Sequence, residues 1–193
     1  MYKQCKTERS AARQRELENG LLKLMAIKPY DDITVIDLCE FIQIPRKSFY
    51  RYFSSKDGAL HALMDHTMMD YEGFNMVYAD GDRRTLEKEL TQFFLFWLSN
   101  RELLDVLAKN KLTGNLVERT INNIANGELV PQRLIPDKAQ FVRKQVGMFC
   151  VSGLMSIVMY WHREGYPQSA EEMAQVTARL VSEPLFPNLQ HLL

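Results

Sequence analysis

The sequence predicts an all-α protein of about nine helices. Nearly every segment spaces its apolar residues at helical period, and no stretch shows the sustained apolar–polar alternation of a half-buried strand. Prolines and capping residues fall between the periodic segments, where they would start or stop helices. There is no internal repeat and no low-complexity segment.

Leu17, Leu21, Leu24 and Met25 follow i, i+4, i+7, i+8 and mark a first helix. Pro29 limits it, because the residue before a proline avoids helical backbone. Thr34 caps a short second helix, VIDLCEFI, with Asp37 in its acidic first turn. Pro45 suits the first turn of a third helix, where its missing N–H costs nothing. Ser54 and Ser55 offer a cap for a fourth helix, whose apolar positions are Leu60, Leu63, Met64, Thr67, Tyr71 and Phe74. The polar stretch DGDRR from Asp80 is a break. A fifth helix carries Leu86, Leu90, Phe93, Phe94 and Trp97, and shorter helical pieces cover residues 103–107 and 116–124. Residues 127–136, with one glycine and two prolines, read as a loop. Asp137 caps a long helix that runs through Trp161 and ends near Gly165. Ser169 and Glu172 have capping-box spacing and open a last helix that stops before Pro184.

At 193 residues and 46% apolar composition, the chain can bury a sizeable core. No apolar run stands behind a basic start, so no signal peptide is expected. The longest nearly apolar run, MFCVSGLMSIVMYW at residues 148–161, would rise only about 21 Å as a helix, short of a bilayer core of roughly 30 Å. No membrane association is expected. The run reads as a helix buried on most sides. Cys5, Cys39 and Cys150 are too few and too scattered for a disulfide framework or a zinc site, which fits reduced thiols in a cytoplasmic protein. The alternative is a redox-sensing thiol, for which Cys5 is the candidate, since Cys39 and Cys150 lie in apolar stretches that disfavour a thiolate. Residues 1–56 hold 11 Lys and Arg against 7 Asp and Glu, a balance of +4 that the remainder offsets with −4. A basic front end on an acidic body suits contact with an anion such as nucleic acid. No Gly-rich phosphate loop, HExxH, GxSxG or clustered carboxylate pair appears, so no enzyme activity and no cofactor are expected.

The stretch PRKSFYRYF, residues 45–53, sets Arg46, Lys47 and Arg51 among Phe49, Tyr50, Tyr52 and Phe53. Residues 33–53 fit two short helices joined by a tight turn at Gln43 and Ile44, with Leu38, Phe41, Ile42, Ile44 and Phe49 as a small shared core. Phe49 and Phe53 then face inward, and Arg46, Lys47, Ser48 and Tyr50 point outward. A helix-turn-helix sets such a face in the major groove, where Arg and Lys pair with guanine O6 and N7 and hydroxyls fix the backbone.

Residues 33–60, ITVIDLCEFIQIPRKSFYRYFSSKDGAL, resemble the helix-turn-helix signature of the tetracycline-repressor-like (TetR) family of transcriptional regulators. The likeness runs through the small residue Cys39, apolar Ile44, the sequence Phe49-Tyr50-Arg51-Tyr52-Phe53, and the closing phrase of Ser55, Lys56, Asp57 and Leu60. It covers roughly residues 8–75. Three departures stand out. Gln43 occupies a turn position where relatives commonly have glycine, so a positive φ there would cost energy. Pro45 replaces a frequent Ser or Thr. Lys47 replaces a frequent glycine and adds an outward cation.

The resemblance implies a DNA-binding domain at residues 1–55 and a helical regulatory and dimerisation domain at 56–193. It implies base contacts by Arg46 and Lys47, a base or phosphate contact by Ser48, and backbone contacts by Tyr50 and Tyr52. Thr34 and Lys56 would reach phosphates. It further implies a homodimer through the last two long helices on a double-stranded operator, working as a repressor released by a small apolar effector. The alternative is a body that binds a protein partner. Gly153, Ser152 and Ser156 are small enough for close helix approach. Met64, Met68, Phe93, Trp97, Phe149 and Trp161 are the candidate effector-binding residues, being of a type that suits an apolar ligand. The histidines are His61, His66, His162 and His191; His61 and His66 lie about 140° apart round a helix, poor geometry for a metal, and no metal site is expected.

Overall fold

The computed structural model describes residues 1–77, 86–126 and 140–182. These residues form nine α-helices and no strand. In chain order they are α1 (Glu8–Ile27), α2 (Val35–Phe41), α3 (Arg46–Phe49), α4 (Lys56–Val77), α5 (Leu86–Ser99), α6 (Arg101–Lys109), α7 (Thr113–Asn126), α8 (Gln140–Arg163) and α9 (Ala170–Ser182), with a 3-10 turn at Tyr30–Asp32. The break at 80–84, the loop at 127–136, Asp137, Pro184 and His191 lie outside the described residues, as does the side chain of Phe74.

The helix starts follow from side chains. Thr7 accepts from the N–H of Ser10 at the head of α1. At α2, the Thr34 hydroxyl accepts from the Asp37 N–H at 3.1 Å while the Asp37 carboxylate accepts from the Thr34 N–H at 2.7 Å, a reciprocal capping box. Ser169 and Glu172 repeat the arrangement at α9, at 2.8 and 3.1 Å. For α4 the cap is Ser55, which accepts from the Gly58 N–H.

The ends are equally explicit. Past α2, the Gln43 N–H donates to the Glu40 carbonyl and the Ile44 N–H to the Cys39 carbonyl, the paired bonds of a Schellman motif. That motif needs a left-handed residue, and Gln43 supplies it at φ 55°. Lys111 does the same past α6 at φ 58°, and Gly165 past α8 at φ 78°. The carbonyls left over at the end of α1 are taken by α6. Lys109 Nζ donates to Ala26 O, Asn110 Nδ2 donates to Met25 O, and the Asn110 amide oxygen accepts from the Tyr30 N–H at 2.7 Å.

In packing, α1 lies on α2, α4 and α6; α7 lies on α4 and α8; α5 lies along α9. One apolar core joins them, from Leu17, Leu21 and Met25 of α1 through Phe49 and Phe53 to Trp97 and Trp161. Gly20 lets α1 and the end of α2 approach, since a Cβ there would drive into the Ile42 side chain. Phe41 departs from expectation. It is 44% exposed rather than part of the shared core. The cause is angular: Leu38, Cys39 and Ile42 define the inward arc of α2, and at about 100° per residue Phe41 falls outside it. Leu86, at the start of α5, is exposed too.

Candidate nucleic-acid interface

The α-helical part of α3 is only four residues, and turn residues carry the chain on to Phe53. Its position is held from behind. Phe49 and Phe53 are fully buried, with ring centroids 5.2 Å apart. Burying each ring contributes about 2–3 kcal/mol. The other side chains of the segment are exposed to differing degrees. Arg46 and Lys47 are exposed, Ser48 is half-buried, and Tyr50 is 45% exposed with its ring edge-on to Phe49. Tyr52 is half-buried beside Phe53. Among the described residues neither Arg46 nor Lys47 enters a salt bridge, so both guanidinium and ammonium groups remain open to an anion.

Thr34 is exposed at the head of α2, its hydroxyl donating to Asp37 at 2.7 Å. Lys28 Nζ also meets Asp37, at 2.9 Å. The hydrogen bonds from Lys28 and Thr34 hold the Asp37 carboxyl at about 2, well below its ordinary value. Lys56, at the start of α4, is engaged within the protein. Its ammonium donates to the carbonyls of Tyr30 at 2.6 Å and Asp31 at 3.2 Å, and sits 4.4 Å from the Tyr30 ring centroid. The Tyr30 hydroxyl donates to Asp57, and burial pushes that phenol upward. The 3-10 turn, the head of α4 and the cation therefore form one unit.

A second polar cluster gave no sequence signal. Asp65 of α4 is buried and accepts from the Tyr2 hydroxyl at 2.6 Å, from Arg119 of α7, and from Asn123 of α7 at 3.0 Å. Burial opposes its charge, but these three donors outweigh burial and hold its pKa low. Beside it, His66 Nδ1 lies 2.9 Å from the fully buried carboxylate of Glu18 on α1. The partners are 48 to 63 residues apart, so no local spacing betrays them.

In the body, Met64, Met68, Phe93, Trp97 and Trp161 are all buried. Phe93 lies 6.4 Å from Trp97, and Phe94 lies 5.5 Å from Trp161, so one aromatic cluster joins the two tryptophans. Trp161 donates its indole N–H to the Gln168 carbonyl, whereas the buried Trp97 N–H has no acceptor among the described residues. Phe149 stands apart from the other five at 74% exposure on the outer face of α8. That face continues through exposed Gly153, Ser156 and Tyr160, and on to Val176 and Leu180 of α9. A groove of about 430 Å³ opens on it, lined by Tyr160, Trp161, Met173 and Val176 among others.

Burial pushes the Cys39 and Cys150 thiols up, while Cys5 exchanges hydrogen bonds with Ser10 and Gln14. No group of three or more metal-ligating residues occurs among the described residues, nor any helix long and apolar enough to cross a membrane.

No protein-family model and no curated protein matches the chain. Solved structures do. The fatty acid degradation regulator FadR from Bacillus halodurans superposes with a TM-score of 0.57 at 12% identity, over 94% of this chain and 98% of its own. The TetR-family repressor AlkX from a Dietzia strain, implicated in biodegradation of n-alkanes, gives 0.56 at 15% identity, over 91% and 96%. A TetR transcriptional regulator from Streptococcus agalactiae gives 0.55 at 16%, over 90% and 95%. The described residues thus have the all-helical TetR-like fold.

Proposed function

We propose that the protein is a DNA-binding transcriptional regulator of the TetR type, with residues 1–55 as the DNA-reading head and 56–193 as the regulatory and dimerisation body. One observation carries this reading: Arg46 and Lys47 stand exposed and without ion-pair partners among the described residues, on a short helix pinned from behind by Phe49 and Phe53. Cations so presented match guanine O6 and N7 in the major groove. Ser48, Tyr50 and Tyr52 flank them and serve the sugar–phosphate backbone, with Thr34 at the head of α2 on a phosphate. Lys56 spends two ammonium protons on carbonyls and keeps one for a phosphate.

The protein acts as a homodimer. The exposed apolar face of α8 and α9 supports this, with Gly153 and Ser156 allowing close approach and Phe149 presented to the second copy. Two heads then meet successive major grooves about 34–36 Å apart. The dimer is a cytoplasmic repressor released by a small apolar effector, which binds within the aromatic cluster of Met64, Met68, Phe93, Trp97 and Trp161. The indole N–H of Trp97, without an acceptor among the described residues, supports an effector with an acceptor oxygen. The roles of FadR in fatty acid degradation and of AlkX in n-alkane biodegradation are consistent with an apolar chain.

Selection from a pool of random duplexes tests the reading. A paired site with half-sites about 10 base pairs apart is expected, bound more tightly than random DNA and weakened steeply by salt. Failure to enrich any sequence overturns it.

A further inference from the structure

Residues 1–3 run antiparallel to residues 52–54, with Tyr2 bridged to Phe53. The Lys3 N–H donates to the Tyr52 carbonyl at 2.9 Å. The Met1 carbonyl accepts from both the N–H and the hydroxyl of Ser54, at 3.1 and 2.8 Å. These bonds grip the backbone that closes the proposed DNA-reading unit. The grip matters because α3 is too short to fix its own direction, and the buried rings of Phe49 and Phe53 hold the unit only from inside.

The strap is itself anchored elsewhere. Its Lys3 carbonyl accepts from Gln14 of α1 at 3.1 Å. Its Tyr2 ring lies edge-on to His66 at 5.5 Å, and the Tyr2 hydroxyl donates to Asp65, whose other donors, Arg119 and Asn123, belong to α7. Beneath it lies Gly58, in the first turn of α4: a Cβ there would meet the Met1 carbonyl oxygen at 2.6 Å. The chain therefore keeps a glycine inside a helix, at a cost to helix propensity, where the strap passes.

We infer that Tyr2 is a positioning residue for DNA reading: through the strap it ties the Tyr52–Ser54 end of the recognition unit to Asp65 and so to α7 of the body. It touches no DNA. This rests on the DNA-reading assignment of α3 and adds to it a second route from body to head, one that passes through side chains of α4 and α7 rather than along the α4 backbone.

Two variants detach the strap by opposite means. Tyr2→Phe removes its anchor, and Gly58→Ala pushes it off α4 while favouring the helix. Ile124→Ala, a buried apolar change on α7 that removes none of the hydrogen bonds of the strap or its anchor, controls for lost stability. The measurements are affinity for a duplex selected by the wild-type protein, affinity for a random duplex, Tm, and amide exchange at Lys3 and Ser54. Tyr2→Phe and Gly58→Ala should each weaken the selected duplex about tenfold, the scale of one charge-assisted hydrogen bond. Both should speed exchange at the two amides, and Gly58→Ala should do so without lowering Tm. Ile124→Ala should lower Tm and leave affinity within about twofold. Wild-type affinity in both strap variants, or losses that simply follow Tm across all three, would overturn the inference while the DNA reading stands. A wild-type protein that enriches no duplex overturns both.

Discussion

Replacing Gln43 by glycine should stabilise the protein, and the structure says by how much. Gln43 sits at φ 55°, the left-handed position of the Schellman motif that turns α2 into α3. A side chain in that region costs roughly 1–2 kcal/mol, because Cβ crowds its own carbonyl. Glycine removes this cost but frees the unfolded chain, giving back about 0.4–1 kcal/mol. The net gain is about 1 kcal/mol, a rise of roughly 2–4 °C in Tm for a chain of this length. Urea denaturation of the wild type, Gln43→Gly and Gln43→Ala reads it directly. Alanine keeps the Cβ, so it should stay near the wild type while glycine moves the midpoint upward. Equal midpoints for glycine and alanine would refute the reasoning, since the φ penalty that alanine keeps should exceed the unfolded-chain entropy that glycine adds. The bonds from the Gln43 and Ile44 N–H groups to α2 persist in every variant, so α3 keeps its place and affinity for a selected duplex stays within about twofold.

Arg46→Ala should relax sequence preference, costing about 1–3 kcal/mol on the preferred duplex and little on random DNA, as competition binding would show. Lys56→Ala should lower Tm, because it frees the Tyr30 and Asp31 carbonyls, and should also flatten the dependence of log affinity on log salt by about one unit. Phe149→Glu should leave helical content intact but give a monomer in sedimentation, since the ring is 74% exposed on the face proposed to meet a second copy. Acid should expose the Asp65 cluster. The carboxyl is held below its ordinary value in the folded state, so its contribution is complete above about pH 4 and fades as pH falls through the depressed value. Asp65→Asn should therefore flatten the acid limb of a stability–pH curve.

Helix limits were legible because they depend on a few adjacent residues. The Thr34–Asp37 and Ser169–Glu172 boxes and the stop before Pro29 can each be read from a window of four or five. The outward cations were legible for the same reason, since the alternation of Phe49 and Phe53 with Arg46, Lys47 and Tyr50 is local. Phe41 misled because an apolar residue at the end of a short helix can fall on either side of the inward arc. Phe149 misled in the opposite way: aromatic character fits a ligand-lining role and an exposed face alike, and only the rotation of α8 on α7 separates them. The Asp65 cluster left no trace because Tyr2, Arg119 and Asn123 come from distant parts of the chain and share no periodicity.

The head is not a free module on a stalk. The body grips it at several places, three of which matter most, two of them through the neighbouring residues Asp65 and His66 of α4. Asn110 and Lys109 of α6 hold the end of α1 and the turn before α2. His66 of α4 meets the buried Glu18 of α1. Asp65 and α7 hold the strap that runs to Tyr52. A rigid body fixed at three separate points has no remaining freedom to rotate, so its orientation is dictated by how α4, α6 and α7 sit together. Any effector that binds among Met64, Phe93 and Trp97 lies between α4 and α5, and can shift the head only by favouring one arrangement of α4, α6 and α7 over another. Moving a population from 1:99 to 99:1 would take roughly 5.5 kcal/mol of such preference. A ligand filling the aromatic cluster without changing the relation of α6 and α7 to α4 would bind tightly and regulate nothing.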